Sequence, residues 1–181
     1  MARFGVVPAE PPACRTLDDC SPLFAGRVRS LLAKLEARGL DPIVDESIRS
    51  NERQTWLFNM GRLYDDGRGK VTNVPNAETG WHFFGLAVDI ISKRYQWDYD
   101  SPGGKAFYDA LREEATALDL TSGDDWNRNG TPVENDPSEH LCDRPHVQWW
   151  CEGMHVSPSE NARALFASGG RQAVWRALHA A

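Results

Sequence analysis

Residues 79–91 read TGWHFFGLAVDII, and the second half of this segment predicts a buried β-strand. Residues 86–91 combine apolar and β-branched side chains at the density that is typical of a strand covered on both faces. His82 and Asp89 stand in this apolar setting, and Asp89 needs a partner because an unpaired buried charge is costly. The segment therefore predicts a central strand that carries a polar site.

The spacing of His82 and Asp89 restricts how both side chains can reach one metal ion. On a helix, seven residues separate them by ~10 Å of rise, whereas both ligand atoms must lie ~2 Å from the ion. On one regular strand, the odd separation sends the two side chains to opposite faces. A bend is therefore required, and Gly85 can provide it. We expect His82 on a loop that enters the strand and Asp89 within the strand.

A second pair of candidate site residues, Asp143 and His146, lies in DRPHVQWW, residues 143–150. Pro145 cannot donate to a sheet ladder, which puts His146 at the start of a strand and Asp143 in the preceding loop. His82, Asp89 and His146 would give a zinc ion three protein ligands and leave a fourth position for water, the pattern of a catalytic site. Asp143 would then be the general base.

Helices and further short strands are predicted around these segments. The predicted elements are a helix from Ser21-Pro22 to Gly39, a strand at 43–48, a helix from Ser50 to Gly67, a helix marked by Phe107 to Leu118, a loop at 121–140, a strand at 146–150, and a helical tail split at Gly169-Gly170. The expected fold class is α+β, a small antiparallel sheet that carries the zinc site and is flanked by helices.

Length and composition describe one compact domain. With 181 residues, 41% of them hydrophobic and 25% charged, the chain has the composition of an ordinary globular protein. We expect one catalytic domain over residues 1–181, with the motifs at about 43–150 and a helical tail at 159–181, acting as a monomer. The net charge of −6 argues against nucleic acid as a partner. The apolar runs are too short to predict a transmembrane segment.

The four cysteines form two local pairs, but their spacing matches no zinc pattern. They are Cys14, Cys20, Cys142 and Cys151. Free thiols are the default expectation, and a bridge within either pair stays open because sequence does not determine the geometry that a disulfide needs.

Together these motifs resemble the zinc metallopeptidases of the D-alanyl-D-alanine carboxypeptidase and lysostaphin group, in the branch of phage endolysins that cut L-alanyl-D-glutamate bonds of peptidoglycan stem peptides. The first family motif, Ser/Thr-x-x-His-x-x-Gly-x-Ala-x-Asp, stands here as Thr79, His82, Gly85, Ala87 and Asp89, and the second, Asp/Glu-x-x-His, as Asp143 and His146. Residues 49–54, RSNERQ, are similar to the family's Arg-Ser-x-x-x-Gln turn and helix. The sequence departs from the family at Gly80, where a serine is usual, and in a long acidic insertion after Trp126.

The resemblance implies a zinc-dependent peptidase that acts on peptidoglycan stem peptides. In such an enzyme the ion polarises the scissile carbonyl, while Asp143 takes a proton from the attacking water and delivers it to the leaving amine. Arg49 would hold a substrate carbonyl or carboxylate, and Gln54 would be a weaker substrate contact. Since no signal peptide is recognisable, we expect synthesis in the cytoplasm and action on the cell wall after release.

Several alternatives stay open at the level of the sequence. The same zinc site would serve a D-alanyl-D-alanine carboxypeptidase or dipeptidase, and a non-enzymatic wall-binding module could use zinc structurally. A cysteine peptidase using Cys142 or Cys151 is a mechanistically different option. Arg49 could instead form a structural ion pair with Asp45, Glu46 or another carboxylate. His140 and His155 are alternative metal ligands.

The acidic insertion contains a second candidate metal site, of the calcium type. Oxygen-bearing side chains occupy positions 1, 3, 5 and 12 of the EF-hand loop template, with Gly130 at position 6. These residues are Asp125, Asn127, Asn129 and Asp136. Two prolines, Pro132 and Pro137, argue against a complete helix–loop–helix hand. The alternative is a solvated loop rich in Asn and Asp. Calcium bound here would order the loop that leads to Asp143 and would therefore modulate activity.

Overall fold

A computed structural model describes residues 4–179, so residues 1–3 and 180–181 of the predicted domain lie outside the described part. The helices are α1 (Pro22–Ala37), α2 (Asn51–Asn59), α3 (Pro102–Ala117) and α4 (Glu160–His179). The strands are β1 (Pro42–Glu46), β2 (Ala87–Ser92), β3 (Leu120–Ser122) and β4 (His146–Trp149), and short 3-10 turns lie at Ala77–Thr79 and Val133–Asn135. The predicted α+β class is confirmed.

The strands form one antiparallel sheet in the order β1-β2-β4-β3. All of β2 is buried, as its apolar sequence predicts. The register places Asp89 of β2 directly opposite His146 of β4 on one side and Glu46 of β1 on the other. Directly opposed residues have Cβ atoms ~4.5–5.5 Å apart, so the sheet itself brings these three polar side chains together.

Two helices cover the apolar face of the sheet. Apolar residues of α1 recur three and four positions apart, and those of α3 do the same, so each helix buries one stripe. The fully buried members are Phe24, Val28, Leu31 and Leu35 of α1 and Phe107, Leu111 and Ala115 of α3. Val88 and Ile90 pack into the same core. Because side chains alternate along a strand, Asp89 lies on the opposite face of β2.

The second helix is shorter than predicted. It ends at Asn59 rather than Gly67, because Met60 has an extended backbone and Gly61 adopts a positive φ of 69°. A Cβ atom on Gly61 would lie 2.4 Å from the backbone of Gly69, so only glycine permits this close approach. The apolar residue Leu63 fits helical spacing in the sequence, yet it is 62% exposed in the structure. The prediction of helix beyond Asn59 was therefore wrong.

The C-terminal helix α4 is interrupted at Gly169 and Gly170, as the sequence predicts. Its second half is attached to the turn that follows His82. Trp175 Nε1 donates to the Phe84 carbonyl at 2.6 Å, and Arg171 Nε donates to the Phe83 carbonyl at 2.6 Å. The tail therefore helps to fix the backbone beside the candidate site. None of the helices in the described range 4–179 combines the length and apolar character needed to cross a bilayer.

Candidate metal centre

His82, Asp89 and His146 meet at one point although 64 residues separate the first from the last. Asp89 and His146 come together through strand register, whereas His82 enters from the turn that precedes β2. Gly85 has a φ of +66°, which turns the chain between His82 and Asp89. The predicted bend is therefore present at Gly85. A side chain there would also press against the Asp19 carbonyl, 3.1 Å from its Cβ position.

The three candidate ligand atoms have the spacing of a tetrahedral zinc site. His82 Nε2 lies 3.3 Å from Asp89 Oδ1 and 3.2 Å from His146 Nδ1, and His146 Nδ1 lies 3.4 Å from Asp89 Oδ1. Bonds of ~2.0–2.1 Å at tetrahedral angles place donor atoms ~3.3–3.4 Å apart. All three residues are buried, and together they leave one side of such a site to the solvent cleft. The donor set and its geometry fit zinc.

The position of the ring proton on His82 also favours binding of a cation between the three side chains. Its Nδ1 lies 2.6 Å from the backbone carbonyl oxygen of Ser47, which can only accept a hydrogen bond. Nδ1 therefore carries the proton, and in the neutral ring Nε2 presents a lone pair toward Asp89 and His146. Several electron-rich atoms facing one another in a buried space require a proton or a metal ion between them.

Asp89 is ionised in this environment. Burial by itself would raise the pKa of Asp89, but the neighbouring His82 and His146 side chains and the Arg49 guanidinium hold it well below its usual range. Arg49 Nη2 donates to Asp89 Oδ2 at 3.0 Å and to Glu46 Oε2 at 2.7 Å. Burial would lower the pKa of Arg49, yet these two carboxylates raise it. Asp89 thus remains a carboxylate, the form in which it binds a metal ion.

Asp143 lies beside this centre on the loop before β4 and remains exposed to solvent. Loss of hydration at the cleft wall raises the pKa of its carboxyl group; His146 opposes this effect and the negative charge of Asp89 adds to it. The backbone of Asp143 is fixed from both sides. Its N–H donates to the Gly123 carbonyl at 2.9 Å, and its carbonyl accepts from the His146 N–H at 3.0 Å.

Gly123 is a close neighbour of Asp143, and this contact is not predicted from the sequence. A Cβ atom at Gly123 would lie 2.0 Å from the Asp143 carbonyl oxygen and 3.1 Å from His146 Cβ. Any other residue would therefore push the loop away from the metal centre. A contact between backbones 20 positions apart leaves no local signal in the sequence.

A cleft of ≈ 430 Å³ opens onto the three candidate ligands and Asp143. One wall is the segment 70–74, which hydrogen bonds hold in place. Gln54 Nε2 donates to the Val74 carbonyl at 2.6 Å, and Arg62 Nη1 donates to the Thr72 carbonyl at 3.0 Å. Another wall includes Trp126, whose ring centroid lies 5.3 Å from that of His146. Such a groove has room for an extended peptide segment.

Arg49 and Gln54, the predicted substrate contacts, both line this cleft and also contact each other. Arg49 Nη1 donates to Gln54 Oε1 at 3.2 Å, while the Nη2 atom of the same guanidinium donates to Glu46 and Asp89. The structural ion pair that the sequence leaves open for Arg49 is therefore present with Glu46. A role in substrate binding for either residue stays a prediction.

The predicted calcium loop, residues 125–136, contains Trp126. Asp125 accepts backbone N–H groups of Asn129 and Gly130, each at 3.0 Å, and Gly130 has the positive φ of a sharp turn. The side-chain amides of Asn127 and Asn129 donate to Asp136 Oδ2 at 2.8 and 2.7 Å. The four predicted residues are thus close together, and binding of calcium stays a prediction.

Cys142, which lines the cleft, and Cys151 do not have the properties of a nucleophile. Desolvation raises the pKa of both Cys142 and Cys151, and Asp124 adds to the effect at Cys142. Catalytic cysteines need the opposite shift, because the thiolate is the reactive form. Each described cysteine is a free thiol.

Sequence comparison finds a similar protein. The peptidoglycan L-alanyl-D-glutamate endopeptidase CwlK of Bacillus subtilis (strain 168) is 26% identical over 117 residues, which cover 61% of this chain and 68% of CwlK. This similarity supports the resemblance to the D-alanyl-D-alanine carboxypeptidase and lysostaphin group that the motifs indicate. No protein-family model matches the chain.

Two solved structures are similar to the chain at a modest overall level. The Serratia marcescens L-Ala D-Glu endopeptidase ChiX has a TM-score of 0.46 and 21% sequence identity, with 74% of this chain and 83% of ChiX covered. VanYB in complex with D-alanine-D-alanine has a TM-score of 0.49 and 20% identity, with 90% of this chain and 87% of VanYB covered.

Proposed function

We propose that the chain is a zinc-dependent peptidoglycan peptidase with His82, Asp89 and His146 as its metal ligands. The observation that carries this proposal is the tetrahedral spacing of three buried donor atoms at the floor of an open cleft. The relationship to CwlK supports peptidoglycan as the substrate. The exposed carboxylate of Asp143 beside the centre favours a catalytic over a purely structural site, because a closed structural site has no use for an additional acid–base group.

The side chains around the cleft have distinct roles in the proposed reaction. When bound, zinc supplies Lewis-acid polarisation of the scissile carbonyl and lowers the pKa of an attacking water. Asp143 accepts the proton of this water and returns it to the leaving amine, and its raised pKa suits both steps. Arg49 keeps Asp89 ionised, and it lines the cleft that would hold the peptide together with Gln54, to which its Nη1 donates.

Within this reaction class we propose the L-alanyl-D-glutamate bond of the stem peptide as the scissile bond, in an enzyme of endolysin type that reaches the wall after release from the cytoplasm. Support comes from the motifs and from the activity named for CwlK. The second candidate is a D-alanyl-D-alanine carboxypeptidase, because the same metal centre would serve both reactions.

Digestion of purified peptidoglycan by the zinc-loaded protein should release fragments whose masses identify the bond. New N-terminal D-glutamate would indicate the proposed bond, and loss of a single terminal D-alanine would indicate the carboxypeptidase. A chelator should stop the reaction, whereas a thiol alkylator should not, since the cleft thiols are not activated. Absence of any peptide product from the zinc-loaded protein would refute the peptidase proposal.

We also propose that calcium in the loop of Asp125, Asn127, Asn129 and Asp136 modulates activity. Trp126, between the first two of these residues, packs on His146 and donates to the Leu141 carbonyl at 2.6 Å. Ordering of the loop would therefore act directly on the metal centre. Calcium added to the zinc-loaded, calcium-free enzyme should raise turnover, and Asp136→Asn should remove the response. An unchanged rate in the parent protein would count against calcium control.

A further inference from the structure

Gln148 is a buried polar residue beside the candidate metal centre, and its role is not explained by the peptidase motifs. It lies two residues after His146 on β4, so both side chains point to the same face of the sheet. Only 2% of its surface is exposed. Its Oε1 lies 3.1 Å from His146 Nε2, and its Nε2 lies 3.4 Å from the His155 carbonyl oxygen.

The orientation of the Gln148 amide follows from its second partner. A backbone carbonyl has no proton to give, so the His155 oxygen must face the NH2 end of the amide. The same oxygen also accepts from Trp81 Nε1 at 3.0 Å, which fixes its position. Turning the amide over would place two acceptor oxygens against each other. Gln148 therefore presents its oxygen, an acceptor, to His146.

This orientation determines the tautomer of His146. Since Gln148 Oε1 accepts, the Nε2 atom of His146 must carry the proton, and Nδ1 of the neutral ring is left with a lone pair. Nδ1 is the atom that faces His82 Nε2 at 3.2 Å and Asp89 Oδ1 at 3.4 Å. The opposite tautomer would direct an N–H into the metal centre and would exclude a cation.

We propose that Gln148 is a positioning residue that fixes the metal-binding tautomer and the ring angle of His146, and thereby sets the zinc affinity. The inference rests on the proposed role of His146 as a ligand. Trp126 packs against the same ring and limits its movement sterically, but an indole face cannot select a tautomer in the way that a hydrogen-bond acceptor can. Gln148 therefore contributes chemistry that Trp126 does not replace.

The test measures zinc affinity of the full chain by competition with a chromophoric chelator. Gln148→Met keeps the length of the side chain but has no amide oxygen, and we expect the affinity to fall by about 10–100-fold, as is typical for outer partners of metal-binding histidines. Gln148→Glu keeps an acceptor oxygen for His146 Nε2 but loses the N–H donor to the His155 carbonyl, so its zinc affinity should lie between those of the parent and the Met variant. Gln172→Met, on an exposed position of α4, is the control and should have no effect.

A second readout separates tautomer control from loss of folding. Nitrogen NMR of the zinc-loaded parent should show His146 protonated at Nε2, and this pattern should be retained in Gln148→Glu. Should Gln148→Met fail to fold, Gln148→Asn, whose amide is too short to reach the ring, should show the same loss of affinity. Parent-like zinc affinity in a folded Met or Asn variant would overturn the inference.

The outcomes also distinguish this inference from the proposed function. If the parent binds zinc and the Met variant binds it more weakly, yet neither cleaves peptidoglycan, the positioning role of Gln148 stands and the peptidase proposal fails. If the parent cleaves peptidoglycan and the Met variant binds zinc as tightly as the parent, the peptidase proposal stands and the positioning role of Gln148 fails. A parent protein that binds no zinc would overturn both.

Discussion

Replacement of Asp143 by asparagine is expected to lower peptidoglycan turnover by about 10²–10⁴-fold, the contribution that a positioned general base typically makes. Asparagine has nearly the same shape but cannot accept a proton at neutral pH. Asp143 is not one of the three clustered donor groups, so the zinc affinity should stay near that of the parent. Single-turnover rates and chelator competition on the same preparation measure both quantities.

The control for this substitution is Asp100→Asn, which removes an exposed carboxylate in the turn before α3, away from the cleft. It should leave turnover unchanged. A fully active Asp143→Asn protein would mean that another group accepts the proton. Loss of zinc together with turnover would instead mean that Asp143 contributes to metal binding. The backbone hydrogen bonds of Asp143 to Gly123 and His146 do not involve the side chain, so the loop should keep its position in the variant.

Much of the geometry of the candidate metal centre could be predicted from the sequence because the decisive constraints are local. The odd spacing of His82 and Asp89 requires a bend, and Gly85 supplies it with a positive φ. Pro145 lies just before β4, which places His146 at the first position of that strand. Gln148 could have been found in the same way, since a residue two positions along a strand shares the face of the first.

Other features depend on contacts between distant parts of the chain and are not visible in local patterns. Arg49 has several carboxylates within reach in the sequence, and only the register of β1 and β2 places Glu46 and Asp89 on either side of its guanidinium. The three-residue strand β3 overlaps the start of the segment predicted to be loop, so the prediction of loop at Thr121 and Ser122 was wrong. The strand is too short for a periodic signal and is held by pairing to β4. The end of α2 at Asn59 likewise depends on packing between Gly61 and Gly69.

The second large effect is expected for Asp89→Asn, because Asp89 belongs both to the candidate metal centre and to a buried ion-pair network. Zinc affinity should fall by more than about 100-fold, which exceeds the loss typical for residues that only hydrogen-bond to a metal ligand, and hydrolysis should be lost with it. The removed charge is also a partner of Arg49, whose side chain is only 14% exposed. The variant should therefore be less stable than the parent even when both are free of zinc.

The size of this destabilisation depends on the remaining partner of Arg49. Removing one member of a buried ion pair costs ~3–5 kcal/mol when the other charge is left alone. Glu46 still contacts Arg49 in the variant, but Arg53 shares that carboxylate, so we expect a loss of about 1–3 kcal/mol in the free energy of unfolding. Urea unfolding of the zinc-free proteins measures it.

Asp45→Asn is the matched control for the stability measurement. Asp45 pairs with Arg15, whose side chain is 67% exposed, and such surface pairs contribute only ~0–1 kcal/mol. Equal unfolding free energies for Asp89→Asn, Asp45→Asn and the parent would show that Arg49 does not depend on Asp89 in the folded chain. In that case Arg49 could move freely to a substrate carboxylate. A loss confined to Asp89→Asn would instead mean that Arg49 acts mainly by keeping the metal-binding carboxylate ionised and in place.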